Sequence, residues 1–215
     1  MNELPLASDE PLEREPRWPA FVAMLAVGGV YAALPTSLTV GPRWLYWAVV
    51  SVLLIPTIIS HHTRQHDINK IFSIATISAV TIEVIISVIL LLRALIIHAE
   101  KPSDLLLSAG SLWLTNVLVF ALWYWRLDAG GPNHRDLRTE HTTGAFLFPQ
   151  MTMENAEGWS PTFVDYLFLA FNTSTAFSPT DVPVLARWAK LLMMLQSFIS
   201  LTVVALLAAR AVNVL

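Results

Sequence analysis

The chain of 215 residues contains no cysteine and little charge. Without cysteine it can form neither a disulfide nor a thiolate metal site, and it has no thiol nucleophile. Charged residues make up 13% of the sequence, whereas a soluble domain usually carries about 25%. The net charge of −3 gives no indication of a basic surface for nucleic acid. These absences argue against a soluble fold, thiol chemistry and nucleic-acid partners.

Hydrophobic residues, by contrast, make up 55% of the sequence and form long runs between the few charges. In lipid the backbone must satisfy its own hydrogen bonds, so these runs predict helices. A hydrocarbon core of about 30 Å is crossed by about 20 apolar helical residues. We therefore predict an all-α, multi-pass protein of the inner (plasma) membrane, with about five transmembrane helices. They cover approximately residues 19–34, 44–60, 71–97, 105–125 and 191–215, and the first is the shortest.

Two polar stretches complete the predicted organisation. Residues 1–18 carry five carboxylates and several prolines, which predicts a disordered acidic tail rather than a secretory signal. Residues 19–104 hold the first three helices. Residues 105–215 form a second region, with the fourth helix, a water-facing polar loop at 127–160, a segment at 161–181 and the fifth helix.

The segment at 161–181 predicts a helix too short to cross the membrane. Thr162 and Asp165 match a capping box, and Pro179 interrupts the chain after about 15 helical residues, or about 22 Å. The stretch from Asn172 to Thr175 is polar and unsuited to lipid. We predict a re-entrant half-helix, which is tolerated only when it is buried in protein or lines water. The alternative is an amphipathic helix at the interface.

One carboxylate, Glu83, lies in the middle of the third predicted span. A charge there is costly, so Glu83 should face the bundle interior or water. It could serve as an ion or proton site, or it could be a polar packing group bonded to Asn116, Gln196 or a serine of a neighbouring helix.

Signals for chemistry are weak elsewhere. His62 and His66 have the i, i+4 spacing of a metal-binding pair, but no further ligand accompanies them, which favours a solvated loop. Nucleophile-elbow, zinc-protease and phosphate-loop motifs are missing. We therefore predict no enzymatic activity, no catalytic residues, no resident metal and no cofactor.

The stretch Asn172-Thr-Ser-Thr-Ala-Phe-Ser-Pro-Thr-Asp181 resembles the pore loop of tetrameric potassium channels. That family has a short pore helix, a threonine-rich turn, a five-residue filter and an aspartate at the outer end of the filter, where Asp181 falls here. The likeness covers about residues 105–215 and implies that the fourth and fifth helices are the outer and inner helices. The whole chain is also similar to a family of uncharacterised bacterial inner-membrane proteins.

The filter itself departs from the channel pattern. Potassium filters coordinate the ion with stacked backbone carbonyls in a sequence that contains two glycines. Ala176 to Thr180 contain no glycine, and Pro179 fixes its own φ near −65°. A potassium-type carbonyl cage is therefore not expected.

The distribution of basic residues bears on orientation. With five spans and a pore loop entered from outside, nine basic residues would lie outside and four inside, against the positive-inside rule. Three explanations remain open: the segment enters from the cytoplasm, the number of spans differs from five, or the likeness to channels is only structural.

These observations favour three hypotheses of function. The first is a channel-like homo-oligomeric pore, a tetramer by the resemblance, that passes monovalent cations without potassium selectivity. The second is a non-conducting scaffold or accessory subunit, and the third is a small transporter or proton pathway that uses Glu83. The lipid bilayer is the predicted partner in each. The pore hypothesis assigns the lining to Asn172, Thr173, Thr175, Ser178, Thr180 and Asp181.

Overall fold

A computed structural model describes residues 15–39, 66–97, 102–136, 144–153, 159–178 and 181–214. The ordered elements in these ranges are helices, and a single isolated bridge joins Phe146 to Val184. The helices are α1 (Trp18–Ala33), α2 (His66–Ile96), α3 (Pro102–Leu127), α4 (Pro132–Arg135), α5 (Phe163–Thr175) and α6 (Arg187–Val214), with short 3-10 turns at Thr36–Leu38, Asp128–Gly130 and Pro149–Thr152.

Three helices in the described ranges are long and apolar enough to cross a membrane, which is compatible with an integral membrane protein. They correspond to the third, fourth and fifth predicted spans. The helix α1 is apolar but has only 16 residues, in agreement with the prediction that the first segment is the shortest. The second predicted span, at 44–60, lies outside the described residues. The apolar stretches are Lys70–Ile96, Ser103–Arg135 and Arg187–Ala209.

The helix α3 lies at the centre of the bundle. It packs against α1, α2, α5 and α6. Its middle is buried on every side, and the run from Thr115 to Leu122 has no exposed residue. A helix that is apolar all round is expected in such a central position. The positions of α1, α2, α5 and α6 are therefore set by their packing against α3.

The helix α5 begins and ends where its local sequence dictates. The Asp165 carboxylate accepts hydrogen bonds from the backbone N–H of Thr162 (2.7 Å) and from its hydroxyl (2.9 Å), which confirms the predicted capping box. After 13 residues the helix stops, and Phe177 turns the chain with a φ of +54°. At 1.5 Å per residue the helix is about 20 Å long, well short of a hydrocarbon core.

The helix α6 has one buried side and one exposed side. Met193, Gln196 and Val203 point into the bundle. Leu191, Met194 and Phe198 are 66 to 69% exposed and continue as one stripe along the helix. An exposed face this apolar suits lipid or another hydrophobic surface rather than water.

Candidate functional site

The polar second half of α5 is held by buried side chains of α3 and α6. Gln196 of α6 is fully buried, and its Nε2 donates to the Ala170 carbonyl (2.7 Å) and to the Ser174 hydroxyl (2.8 Å). Its Oε1 accepts a hydrogen bond from the hydroxyl of Tyr124, which is buried on α3. One side chain therefore joins all three helices.

A second set of hydrogen bonds surrounds Ser174. The Asn116 Nδ2 donates to the Ser174 hydroxyl (3.4 Å) and to the Gln196 carbonyl (3.2 Å). The Ser200 hydroxyl donates to the Ser174 carbonyl (2.6 Å) and accepts from the Trp113 indole N–H (3.1 Å). The last carbonyls of a helix have no partner within it, so these donors satisfy groups that would be costly to bury alone. We call Asn116, Tyr124, Ser174, Gln196 and Ser200 the inner polar cluster.

The residues predicted to line a pore fall into two groups. Thr175, Ser178 and Asp181 are exposed at or beyond the end of α5, and Asn172 is partly buried. Thr173 is buried, and its hydroxyl donates to the Leu169 carbonyl (2.8 Å) within the same helix. Thr180 lies outside the described residues. A single copy of the chain therefore presents Thr175, Ser178 and Asp181 outward, and keeps Thr173 inside.

The turn after α5 uses a left-handed residue, as a potassium filter does, but without glycine. Phe177 has a φ of +54°, a conformation that side chains with a Cβ adopt at a cost. A residue in this conformation commonly ends a helix. It therefore serves here as the helix stop.

A second buried polar cluster lies at the other end of α5, where α3 ends. The Asp128 carboxylate accepts hydrogen bonds from the Tyr166 hydroxyl (2.7 Å) and from the backbone N–H of Ala145. Arg135 donates to the carbonyls of Trp125 and Asp128, both at 3.0 Å, and lies over the Tyr166 ring at 5.2 Å. We call Glu15, Asp128, Arg135 and Tyr166 the outer polar cluster.

The N-terminal segment belongs to this outer cluster. Glu15 pairs with Arg135 at 2.8 Å, and both side chains are almost fully buried. The Arg17 guanidinium pairs with Asp136 at 2.5 Å and also donates to Asn133. Residues 15–18 thus depart from the disordered tail that the sequence predicts for residues 1–18, because they are bound to the polar end of α3. Residues 1–14 lie outside the description.

Burial affects the ionisation of Glu15 in this segment. Burial raises the pKa of Glu15 above its ordinary value, while Arg135 and the Trp125 indole N–H oppose the shift by stabilising the carboxylate. Burial therefore makes ionised Glu15 less favourable than a carboxylate in water, although a cation is in direct contact.

Two loops that the sequence leaves unconnected are paired beside the same cluster. The Leu147 N–H donates to the Pro183 carbonyl (3.0 Å), and the Leu185 N–H donates to the Ala145 carbonyl (2.8 Å). The Phe146 ring lies 6.1 Å from that of Trp188 at the start of α6. These contacts fix the loop from Asp181 to Ala186, which we call the Asp181 loop, close to the C-terminal end of α3. The start of α5 lies beside the same end of α3.

Glu83 is not part of either cluster. It is partly buried on α2 and accepts a hydrogen bond from the Ser87 hydroxyl (2.9 Å), one turn further along the same helix. The expected partners Asn116 and Gln196 instead bind each other and Ser174. In the part of the chain that is described, Glu83 is thus hydrogen-bonded within α2, and an interhelical partner for it stays a prediction. Of the two spaced histidines, His62 lies outside that part, and His66 is the first residue of α2.

Sequence reasoning missed the outer polar cluster and most of the inner one. Asp128 and Arg135 fall in the stretch assigned to a water-facing loop, yet both are buried. A signal was present in Gly131, whose φ of +94° and close approach to the Arg126 carbonyl exclude a side chain. Gln196 and Asn116 were noticed only as partners for Glu83.

Comparison of the chain with protein-family models, with curated proteins and with solved structures finds no match in any of the three.

Proposed function

We propose that the chain is an integral membrane protein whose C-terminal half is the subunit of a homo-oligomeric, channel-like pore without potassium-type selectivity. The observation that carries the proposal is the course of the chain between Thr162 and Val184. Both ends of this segment lie beside the same end of α3, through the contacts of Tyr166 with Asp128 and of Leu185 with Ala145. Between them, Ser174 contacts Asn116.

The depth of the segment supports a re-entrant hairpin. Asn116 lies ten residues before Arg126 on α3, or about 15 Å along the helix. The chain thus reaches well into the bundle and returns to the end from which it came. The inner polar cluster holds the last turn of α5, whereas the residues that follow, Ala176 to Ser178, are exposed in a single copy. Non-helical backbone at such a depth has to be buried in protein or line water.

The oligomer follows from what a single copy leaves exposed. Thr175, Ser178 and Asp181 face outward, beside an apolar face on α5 that includes Phe168 and Phe171. One copy cannot enclose a passage with these residues. Several copies around a common axis would bring the hydroxyl groups and the Asp181 carboxylates together, and such a ring would attract cations.

Selectivity for potassium is not part of the proposal. A carbonyl cage needs a run of backbone with alternating dihedrals, and after Phe177 the chain continues through Ser178 and Pro179. Proline holds φ near −65°. Hydroxyl groups and carboxylates would instead bind cations weakly and leave much of their water in place.

A non-conducting scaffold or accessory subunit is the second candidate. The Thr175 hydroxyl donates to the Phe171 carbonyl (2.9 Å), and Thr173 is bonded in the same way to Leu169. Both hydroxyl groups are donors within their own helix, and Thr173 is also buried, which leaves fewer hydroxyl oxygens to face an ion. The scaffold would use the same exposed faces for assembly without a passage.

Reconstitution into planar bilayers under a potassium–sodium gradient separates the two candidates. The pore predicts a cation current whose reversal potential stays near zero for equal total cation. Asp181→Asn should lower the conductance, most strongly at low salt, where the field of the carboxylates is least screened. Asp104→Asn, at the far end of α3, is the matched control. A verified oligomer that passes no current would favour the scaffold, and a strongly potassium-selective current would contradict the proposed selectivity.

A further inference from the structure

We propose that residues Glu15 to Arg17 form a strap that controls how firmly the Asp181 loop is held, through the outer polar cluster. The strap and the loop are far apart in sequence, yet a continuous series of hydrogen bonds joins them. The proposal concerns this coupling and holds whether or not the protein conducts.

The strap is fixed at two points of different character. Glu15 is 6% exposed and pairs with Arg135, which is 1% exposed. Arg17 and Asp136 form the outer point, with side chains 21% and 14% exposed. Water reaches the second pair more easily, so the strap should open first at Arg17.

From Arg135 the contacts continue to the loop. Arg135 binds the Asp128 carbonyl, and the Asp128 carboxylate binds the Ala145 N–H and the Tyr166 hydroxyl. Ala145 and Leu147 then pair with the backbone of Leu185 and Pro183. The links from Arg135 to Ala145 are hydrogen bonds of buried groups, and the last two join the backbone of exposed loop residues, so a change at one end alters the next.

The Asp128 carboxylate is tightly packed and cannot move without moving its neighbours. A Cβ added to Gly144 would lie 2.4 Å from one Asp128 carboxylate oxygen. The carboxylate is therefore clamped between Ala145 and Tyr166. When the strap leaves, Arg135 loses its carboxylate partner, and it remains bonded to the backbone that carries Asp128. The resulting shift is transmitted to Ala145 and so to the loop.

Because the chain has no cysteine, a single introduced thiol can report on the loop. Val182 is 5% exposed, and Val182→Cys keeps a similar volume. Its rate of modification by a maleimide in the purified full-length protein measures how often the loop opens. Amide exchange at Glu15, whose N–H donates to the Asp136 carboxylate (3.2 Å), measures release of the strap in the same sample.

Arg17→Gln and Asp136→Asn weaken the outer point from either side. We expect each to raise amide exchange in the strap and to accelerate labelling of Val182→Cys by about 2- to 30-fold, the range for coupling through packed networks. Arg93→Gln, an exposed arginine at the far end of α2, and Asp104→Asn are the matched controls and should leave both readouts unchanged. The double variant Arg17→Asp with Asp136→Arg, which swaps the two charges, should restore slow labelling.

Three results would overturn the proposal. The strap variants could raise exchange at Glu15 and leave the labelling rate equal to that of the controls, in which case the strap is only a local anchor. They could leave exchange of the strap itself unchanged. The charge-swapped double variant could also be labelled at Val182→Cys as fast as the single variants are. If Arg17→Gln does not fold, Arg17→Lys, which loses the planar fork but keeps the charge, is measured in the same way.

Discussion

The side chain of Gln196, on α6, holds the second half of α5 in place with hydrogen bonds from outside that helix. It donates to Ala170 and Ser174 and accepts from Tyr124, all in the buried interior. If an apolar residue took the place of Gln196, the buried Tyr124 hydroxyl would lose its acceptor, and an orphaned buried group costs about 1–3 kcal/mol. Position 196 is therefore more important for stability than its single polar side chain suggests.

We expect Gln196→Leu to lower the free energy of unfolding in detergent by about 1–3 kcal/mol. Adding Tyr124→Phe should recover part of the lost stability, because it removes the orphaned Tyr124 hydroxyl group. Thr202→Val is the control, since the Thr202 hydroxyl bonds only to Phe198 of its own helix. Equal stability of Gln196→Leu and Thr202→Val would show that the inner polar cluster does not support α5.

A second residue-scale prediction concerns pH. Burial raises the pKa of Glu15, so the folded state binds the proton more tightly than the unfolded state does. The contribution of Glu15 to stability is thus fully present below its unfolded pKa of about 4.5 and declines as the pH rises towards the folded value. The neighbouring charges are Arg135 and Asp136, and Arg17 faces Asp136.

The melting temperature of Glu15→Gln, relative to that of the natural protein, should therefore increase as the pH is raised from about 4.5 to neutrality, because glutamine cannot ionise. A difference that stays constant with pH, or that falls, would contradict the assigned direction of the pKa shift.

At the scale of elements, the course of α5 makes a topological prediction. Cysteines introduced by Ser160→Cys, before α5, and by Asp181→Cys, after it, should react with a membrane-impermeant reagent from the same side. Ser103→Cys, at the opposite end of α3, should react from the other side. Reaction of Ser160→Cys and Asp181→Cys from opposite sides would make α5 part of a complete crossing and remove the basis of the proposed pore.

Most of the described helices could be predicted because their apolar runs are long. The helices α2 and α6 begin five and four residues before the predicted spans, because His66 to Lys70 and Arg187 to Lys190 extend them with stretches that include charged and polar residues. The stop of α5 was visible in its polar half and in Pro179. Local sequence was sufficient for these features.

The two polar clusters could not be predicted in the same way. Asp128 meets Tyr166, 38 residues away, and Arg135 meets Glu15, 120 residues away. Such pairings depend on the rotation of each helix about its axis and on the return of loops, neither of which leaves a periodic signal. The sequence points to Asn116 and Gln196 only as possible partners of Glu83, and their mutual contact depends on the packing of α3 against α6.

At the scale of the whole molecule, the basic side chains gather at one end of the bundle. The same end carries the strap, the outer polar cluster and the start of α6, whereas, among the described residues, Arg93 of α2 and Arg210 near the end of α6 lie toward the opposite end. The positive-inside rule favours the cytoplasm for the basic end. This agrees with the explanation in which the re-entrant segment enters from the cytoplasm. The basic residues at that end are Arg17, Lys70, Arg126, Arg135, Arg187 and Lys190.

The assembly of several copies can be tested directly. In the proposed pore the ends of α5 meet near a common axis, so oxidation of Thr175→Cys should produce disulfide-linked copies of the chain in membranes. Leu107→Cys is the control, since Leu107 is 71% exposed but lies at the far end of α3. A monomer by native mass spectrometry, with no cross-linking at either position, would exclude a passage shared between subunits.

The direction in which α5 points has an electrostatic consequence. A helix carries partial negative charge at its C-terminus, and here that terminus lies deep in the bundle, beside Ser174 and Thr175. Gln196 and Ser200 offset part of this charge by donating to the carbonyls of Ala170 and Ser174. What remains has the same sign as the Asp181 carboxylate. An anion near Ser178 would therefore be repelled by the helix as well as by the carboxylate, so that any solute admitted there is expected to be neutral or positively charged.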